Sequence, residues 1–158
     1  MYAIRKCDGS GCVSGDTEVY GKAKVSVDSM VYGNATVYGN AWVSGDAEVY
    51  GNAKVYGNAK VYGDAKVYGN AWVYGDAEVY GDAEVYGNAD YATIKGFGTE
   101  FRTTTFFRCK DGVVRVSCGC FYGDLDQFRN QVKDTRKGKI AEEYLMIADL
   151  MEKHFTEE

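Results

Sequence analysis

The chain has 158 residues and a formal net charge of −5, from 23 acidic and 18 basic side chains. That length carries one elongated body plus one small cap and excludes two independent enzymatic domains. The mildly acidic balance argues against nucleic-acid binding, and no apolar run is long enough to cross a membrane.

Residues 1–12 precede any pattern. Met1-Tyr2-Ala3-Ile4-Arg5-Lys6 lacks the apolar run of a secretory leader. Five cysteines make no familiar secreted framework, so a reducing cytoplasm is the expected compartment. The segment reads as an N-terminal cap whose strand crosses the bottom of a repetitive column, because an open solenoid end needs covering.

From residue 13 to residue 90 one six-residue unit recurs thirteen times without insertion. Val49-Tyr50-Gly51-Asn52-Ala53-Lys54 is followed directly by Val55-Tyr56-Gly57-Asn58-Ala59-Lys60. A period so short and strict marks a β-solenoid. Read as Ala-x-Val-Tyr-Gly-Asn/Asp, each unit puts Ala and Val on one face of an extended segment and x and Tyr on the other. Ala and Val suit a narrow interior, and x (Lys, Glu, Thr, Trp or Asp) suits water. Gly followed by Asn or Asp tolerates positive φ and turns a corner. Three units close a triangular coil of eighteen residues. The column then has a little over four coils and stands about 20 Å tall at about 4.8 Å per strand. The rivals are a flat solenoid of twelve-residue coils and a run of Gly-Asn hairpins, whose four-residue strands are too short to stand alone.

The aliphatic residue of each unit (Val19, Val31, Val37), with a small residue four positions later (Ala23, Ala35, Ala41), resembles the hexapeptide-repeat family. That resemblance covers residues 13–90 and implies a left-handed parallel β-helix. Handedness comes from the family, not from the period.

Eighteen-residue coils define three outer faces. The first carries Met30/Tyr32, Glu48/Tyr50, Lys66/Tyr68 and Glu84/Tyr86. The second carries Glu18/Tyr20, Thr36/Tyr38, Lys54/Tyr56 and Trp72/Tyr74. The third carries Lys24/Ser26, Trp42/Ser44, Lys60/Tyr62 and Glu78/Tyr80. Alternating charges (Glu48, Lys66, Glu84; Lys60, Glu78) support register, and stacked tyrosines stiffen the wall. So many outward aromatics also suit an interface. Trp42, Tyr50, Tyr68, Trp72 and Tyr74 are its candidate residues, and a homo-oligomer is expected. The family resemblance favours a trimer, since such helices commonly pack three around an axis.

Tyr91 stands where Val is expected, and the pattern has faded by residue 98. The domains are therefore a cap over 1–12, a β-helix over 13–98 and an α+β module over 99–158. Residues 102–109 and 113–118 flank Lys110-Asp111-Gly112 and read as a hairpin. Phe106, Val114, Val116, Cys118 and Cys120 share one face, and Phe107 and Arg115 share the other. Asp124 is the expected N-cap of a helix bearing Leu125, Phe128 and Val132. Gly138 ends it, and a second helix from Lys139 carries Ile140, Tyr144, Ile147, Ala148, Met151 and Phe155 at helical spacing. The ββαα unit is expected to lay its apolar face on the last coil. The repeats together with Gly119-Cys120-Phe121-Tyr122-Gly123-Asp124 resemble small proteins carried by phages and prophages. The fold class is mainly β: a triangular left-handed β-helix with a ββαα cap.

The family resemblance brings acyltransferase chemistry into question. Those enzymes use a histidine base and a loop inserted between coils. Here thirteen units contain no insertion, and the lone histidine, His154, falls in the last turn of the terminal helix. A cation there favours the negative helix end without catalysis. One histidine also cannot build the zinc site of the carbonic-anhydrase-like members. Cys7 and Cys12 lie at the opposite end of the column from Cys118 and Cys120, whose place on the valine face reads as packing. No cofactor or metal is expected. In the tail, Arg102, Arg108 and Arg115 with Phe107 and Tyr122 suit a small anionic ligand whose base is stacked. The expected function is non-catalytic binding of a host protein or a signalling nucleotide, as a phage protein interfering with bacterial defence. A degenerate acyltransferase and a virion or scaffold component are the alternatives.

Overall fold

A computed structural model describes residues 6–7, 11–26 and 28–156. The rest of the expected N-terminal cap lies outside the described residues. Lys6–Cys7 pairs antiparallel with Cys12–Val13, and Cys12 is disulfide-bonded.

The repeats form a parallel β-solenoid with three walls. The first wall stacks Cys12–Val13, Met30–Val31, Glu48–Val49, Lys66–Val67 and Glu84–Val85. The second stacks Glu18–Val19, Thr36–Val37, Lys54–Val55 and Trp72–Val73. The third stacks Lys24–Val25, Trp42–Val43, Lys60–Val61 and Glu78–Val79. Every step of the parallel ladders is eighteen residues, so each valine lies over a valine. From Val31 to Val85 all inward valines and alanines are fully buried. In the lowest coil Thr17 and Ser29 occupy alanine positions, and their hydroxyls donate to the local carbonyls of Ser14 and Ser26. That local bond lets a hydroxyl replace a methyl inside the column.

The corners carry their own ladders. Asn34 donates to Asn52 and Asn52 to Asn70, at 3.3 and 3.2 Å. On the next edge Asn40 donates to Asn58, and Asn58 to Asp76, which pairs with Lys95 at 2.8 Å. The tyrosines stack at 4.8–5.3 Å through Tyr20, Tyr38, Tyr56 and Tyr74 on the second wall. Tyr32, Tyr50 and Tyr68 stack likewise on the first. The charge columns are in register. Among the described residues of these columns, only Lys60 and Glu78 close to an ion pair, at 3.6 Å. Glu48 instead accepts from the Tyr32 hydroxyl at 3.0 Å.

The chain leaves the column through a short 3-10 turn at Asn88–Asp90. The terminal module differs from the expected ββαα in two ways. Its antiparallel sheet has four strands, Tyr91–Ile94, Thr104–Arg108, Val114–Cys118 and Phe121–Asp124, in that order. By hydrogen bonding the first of these belongs to the module and precedes the expected start at residue 99. The sheet also buries both faces. The expected register is observed, with Phe106 opposite Val116 and Phe107 opposite Arg115. However, the Phe106/Val116 face packs against the helices, and the Phe107/Cys109 face covers the last coil. The expectation that the valine face meets the solenoid is therefore reversed. Two amphipathic helices need that face more than the column does, because a bridge from Ala83 to Cys109 and a bond from Glu78 N–H to Thr105 Oγ1 already seal the column end.

Helix α1 (Leu125–Thr135) starts at Asp124, whose carboxylate accepts from Gln127 N–H while the Gln127 side chain accepts from Asp124 N–H. This capping box satisfies two otherwise orphan donors. Helix α2 (Gly138–Phe155) buries Tyr144, Ile147, Ala148, Met151 and Phe155. Among the described residues, no helix is long and apolar enough to cross a membrane.

Candidate functional site

The five tail residues expected to share a ligand do not converge. Phe107 is fully buried between sheet and column, 5.9 Å from the Tyr80 ring, and cannot stack on a ligand. Strand alternation then sends Arg108 to the other face of the sheet. There it pairs with Asp90 at 3.1 Å and donates to the Phe155 carbonyl at 3.0 Å. Arg115 stays on the column side, bonded to Asp111 at 2.8 Å. Arg102 pairs with Glu100 at a separate edge. Tyr122 extends the third wall's ladder, its ring 4.9 Å from Tyr80, with its phenol pushed up to about 12 chiefly by burial.

The thiols are equally dispersed. Burial pushes Cys109 up to about 11, which leaves it a poor nucleophile at neutral pH. Cys118 accepts from Thr104 Oγ1 at 3.2 Å. Cys120, expected on the buried face, is exposed, because Gly119 and Cys120 form the turn between two strands. Among the described residues no cluster of three His, Cys, Asp or Glu side chains could hold a metal. His154 is exposed and meets Phe155 edge to face at 5.0 Å.

Charged residues do gather at one edge of the module. Arg102, Arg136, Cys118 and Tyr144 line two adjoining hollows of about 230 and 100 Å³. Burial is the main cause that raises the Tyr144 phenol above its ordinary value.

The five interface candidates fall on three different walls: Tyr50 and Tyr68 on the first, Trp72 and Tyr74 on the second, Trp42 on the third. What distinguishes the walls is how each ladder ends. On the third, Tyr62 and Tyr80 are continued by Tyr122 and Phe107. On the first, Tyr86 turns edge-on to Tyr68, at 66°. On the second, Tyr74 is the last ring and is half exposed. Here the chain's exit opens a cleft of about 500 Å³ lined by Tyr56, Trp72, Tyr74, Asn88, Tyr91, Ala92 and Thr93.

The cleft is built from the broken repeat. The backbone N–H of Trp72 would bond to a further coil; instead it donates to Asn88 Oδ1 at 2.8 Å. The Trp72 carbonyl accepts from the Tyr91 hydroxyl. Lys54 lies 4.8 Å from the centre of the Trp72 ring and props it from below. No charged side chain lines the cleft, whereas both hollows at the module's edge contain arginine. Its volume falls within the range of ligand clefts, and it lies at the junction of the column and the terminal module. Trp72 and the substitution of Tyr91 for the repeat's Val were visible in the sequence; that Asn88, Tyr91 and Thr93 meet Trp72 was not, because the repeat does not say how the chain turns once the stack stops.

A family model described as the YdcK beta solenoid repeat matches residues 31–45 and 59–75. Comparison with curated proteins and with solved structures finds no match.

Proposed function

We propose that the chain is a non-catalytic binding protein: a rigid solenoid that presents its second wall, and the cleft at that wall's upper end, to a partner. The observation that carries this reading is the uncharged aromatic cleft beside Trp72. Rigidity supports it, since rings already fixed by stacking lose little freedom on binding. On the sequence resemblance to hexapeptide-repeat proteins and to small phage and prophage proteins, the partner proposed is a protein of an infected bacterium. Blocking a host defence protein is the most concrete form. The tyrosine walls away from the cleft are available for self-association, with three columns around an axis as the expected arrangement. Native mass spectrometry of protein recovered from its natural host tests the reading. Wild type is expected to carry an added mass that the Trp72→Ala variant loses. A variant that keeps the partner, or a wild type that carries none, would refute it.

A second reading rests on Arg102 and Arg136 beside the Tyr144 phenol. Arg136, with Arg102 once an anion displaces Glu100 from it, suits a phosphate or carboxylate, so this edge is the place for a small anionic ligand such as a signalling nucleotide. Titration with AMP, repeated on Arg102→Ala/Arg136→Ala, tests it. Saturable binding that the double variant leaves unchanged counts against this edge.

A further inference from the structure

We infer that the hollow between Arg102, Arg136 and Tyr144 binds a small molecule with a single carboxylate and a ring-sized apolar body, and that Glu100 holds the place of that carboxylate until the ligand arrives. This rests on the second reading, in which the module's edge takes an anion, and names the anion's class and its built-in competitor.

The first observation is a hydroxyl without a partner. Tyr144 is 8% exposed and lines both hollows, and among the described residues its phenol makes no hydrogen bond. A polar group so nearly buried is ordinarily paired. Burial raises the phenol above its ordinary value and the Cys118 thiol adds to this, whereas Arg136 and Arg102 pull it down. The hydroxyl therefore stays protonated at neutral pH with two cations near it. A Cβ on Gly98 would collide with that hydroxyl, and one on Gly119 with Arg102 Nη1, so both glycines give these groups room.

The second observation is charge. Arg102 is paired with Glu100, and both line the smaller hollow. Arg136 closes no ion pair among the described residues. No other charged residue lines either hollow, so the edge carries one uncompensated positive charge. That matches one carboxylate, whereas a phosphate monoester carries nearly two charges at neutral pH. Glu100 and Arg102 are each more than half exposed, so their pair is weak. It exchanges readily for a carboxylate that Arg136 and Tyr144 hold as well.

The third observation is shape. The larger hollow, about 230 Å³, has Phe121, Phe128 and Val132 as the apolar part of its lining. The Phe121 and Phe128 rings are 5.5 Å apart, and Phe128 meets Tyr144 edge to face at 5.8 Å. The aromatic surface thus runs up to the free hydroxyl. A ligand ring laid on it brings an attached carboxylate to Tyr144 and Arg136.

The test is isothermal titration calorimetry of the full chain with phenylacetate. Wild type is expected to bind it saturably, and the neutral phenylacetamide at least about tenfold more weakly, for want of the charged contacts. Acetate, which lacks the ring, should also bind at least about tenfold more weakly. Tyr144→Phe and Arg136→Ala should each weaken phenylacetate at least about tenfold. Tyr144→Phe should do so without lowering Tm, because the hydroxyl it removes has no partner in the protein. Glu100→Gln should tighten binding by about two- to fivefold, the worth of an exposed ion pair. Lys133→Ala removes an exposed cation outside both hollows and should change nothing. An acetylated peptide ending in phenylalanine with a free carboxylate separates two sources of the same chemistry. If it binds more tightly than phenylacetate, the carboxylate belongs to a chain end, and the head and ring assignments stand. Failure of phenylacetate to bind overturns the inference, as does an affinity that Tyr144→Phe leaves unchanged or that Glu100→Gln does not raise. If phenylacetate fails but AMP binds and Arg102→Ala/Arg136→Ala loses it, the ligand class is wrong and the anion reading stands. If AMP fails as well, or survives the double substitution, both fall.

Discussion

Substituting two corner glycines with alanine separates the cost of backbone conformation from the cost of stacking. Gly57 and Gly75 have nearly the same φ, 69° and 67°, and occupy the same edge of successive coils. Their surroundings differ. A Cβ on Gly57 would lie 2.9 Å from the backbone nitrogen of Gly75 and 3.2 Å from its oxygen, whereas a Cβ on Gly75 meets nothing within 4 Å. Gly57→Ala must therefore push two coils apart and strain the bond from Asn58 N–H to the Gly75 carbonyl, now 2.8 Å. Both variants bear the left-handed penalty of about 1–2 kcal/mol. Overpacking adds roughly 1–3 kcal/mol to Gly57→Ala alone. For a chain of this size each kcal/mol lowers Tm by about 2–4 °C. Gly75→Ala should then melt roughly 2–8 °C below wild type, and Gly57→Ala roughly 4–20 °C below, with Gly57→Ala the lower of the two. Thermal melts followed by circular dichroism decide it. Equal melting temperatures would show that coil spacing does not require glycine at the corner and that φ alone selects it.

Val61→Asp places a lone carboxylate in the fully buried interior and should leave the solenoid unfolded, since an unpaired buried charge is severely costly; a wild-type melt would refute the inward assignment. Alkaline pH should destabilise the walls. Tyr32 and Tyr62 are pushed up to about 12, chiefly by burial, while unfolded tyrosine titrates near 10. Their contribution is complete below pH about 10 and is lost as pH rises through about 12, so Tm should fall across that window and fall less in Tyr32→Phe/Tyr62→Phe. Arg108→Ala should cost about 1.5–3 kcal/mol, because it breaks charged bonds to Asp90 and to the end of α2, whereas Arg115→Ala removes a more exposed pair and should cost less. Lying on opposite faces without a shared partner, the two should add in urea melts; strong coupling would mean a common site after all.

The column was legible because a period of six with an alternating face leaves little choice. Every valine from Val31 to Val85 lies inward where the alternation puts it, and the eighteen-residue step aligns the tyrosines. The capping box at Asp124 and the Phe106–Val116 register were legible for the same local reasons. What local pattern could not decide was which body lies on which face of the terminal sheet. Phe106 and Phe107 are adjacent and both fully buried, so alternation predicts two buried faces without naming their neighbours. The arginine cluster failed on this point. Arg108 and Arg115 are close in the hairpin, but strand geometry puts one beside Phe155 and the other beside Asp111.

The cleft was illegible for a different reason. Along the repeat each coil satisfies the one below, so a specific site cannot arise from any unit alone. It arises where a coil is missing. The third wall is closed by Tyr122 and Phe107, which continue its ring stack, and the first by a rotated Tyr86. On the second wall Asn88 and Tyr91 replace only the backbone bonds of the absent coil and leave its aromatic space open. An open strand edge invites further strands. Because the Trp72 N–H and carbonyl are capped, this end is closed to strand addition while its rings stay accessible. That combination favours a ligand read by its surface over one that extends the sheet.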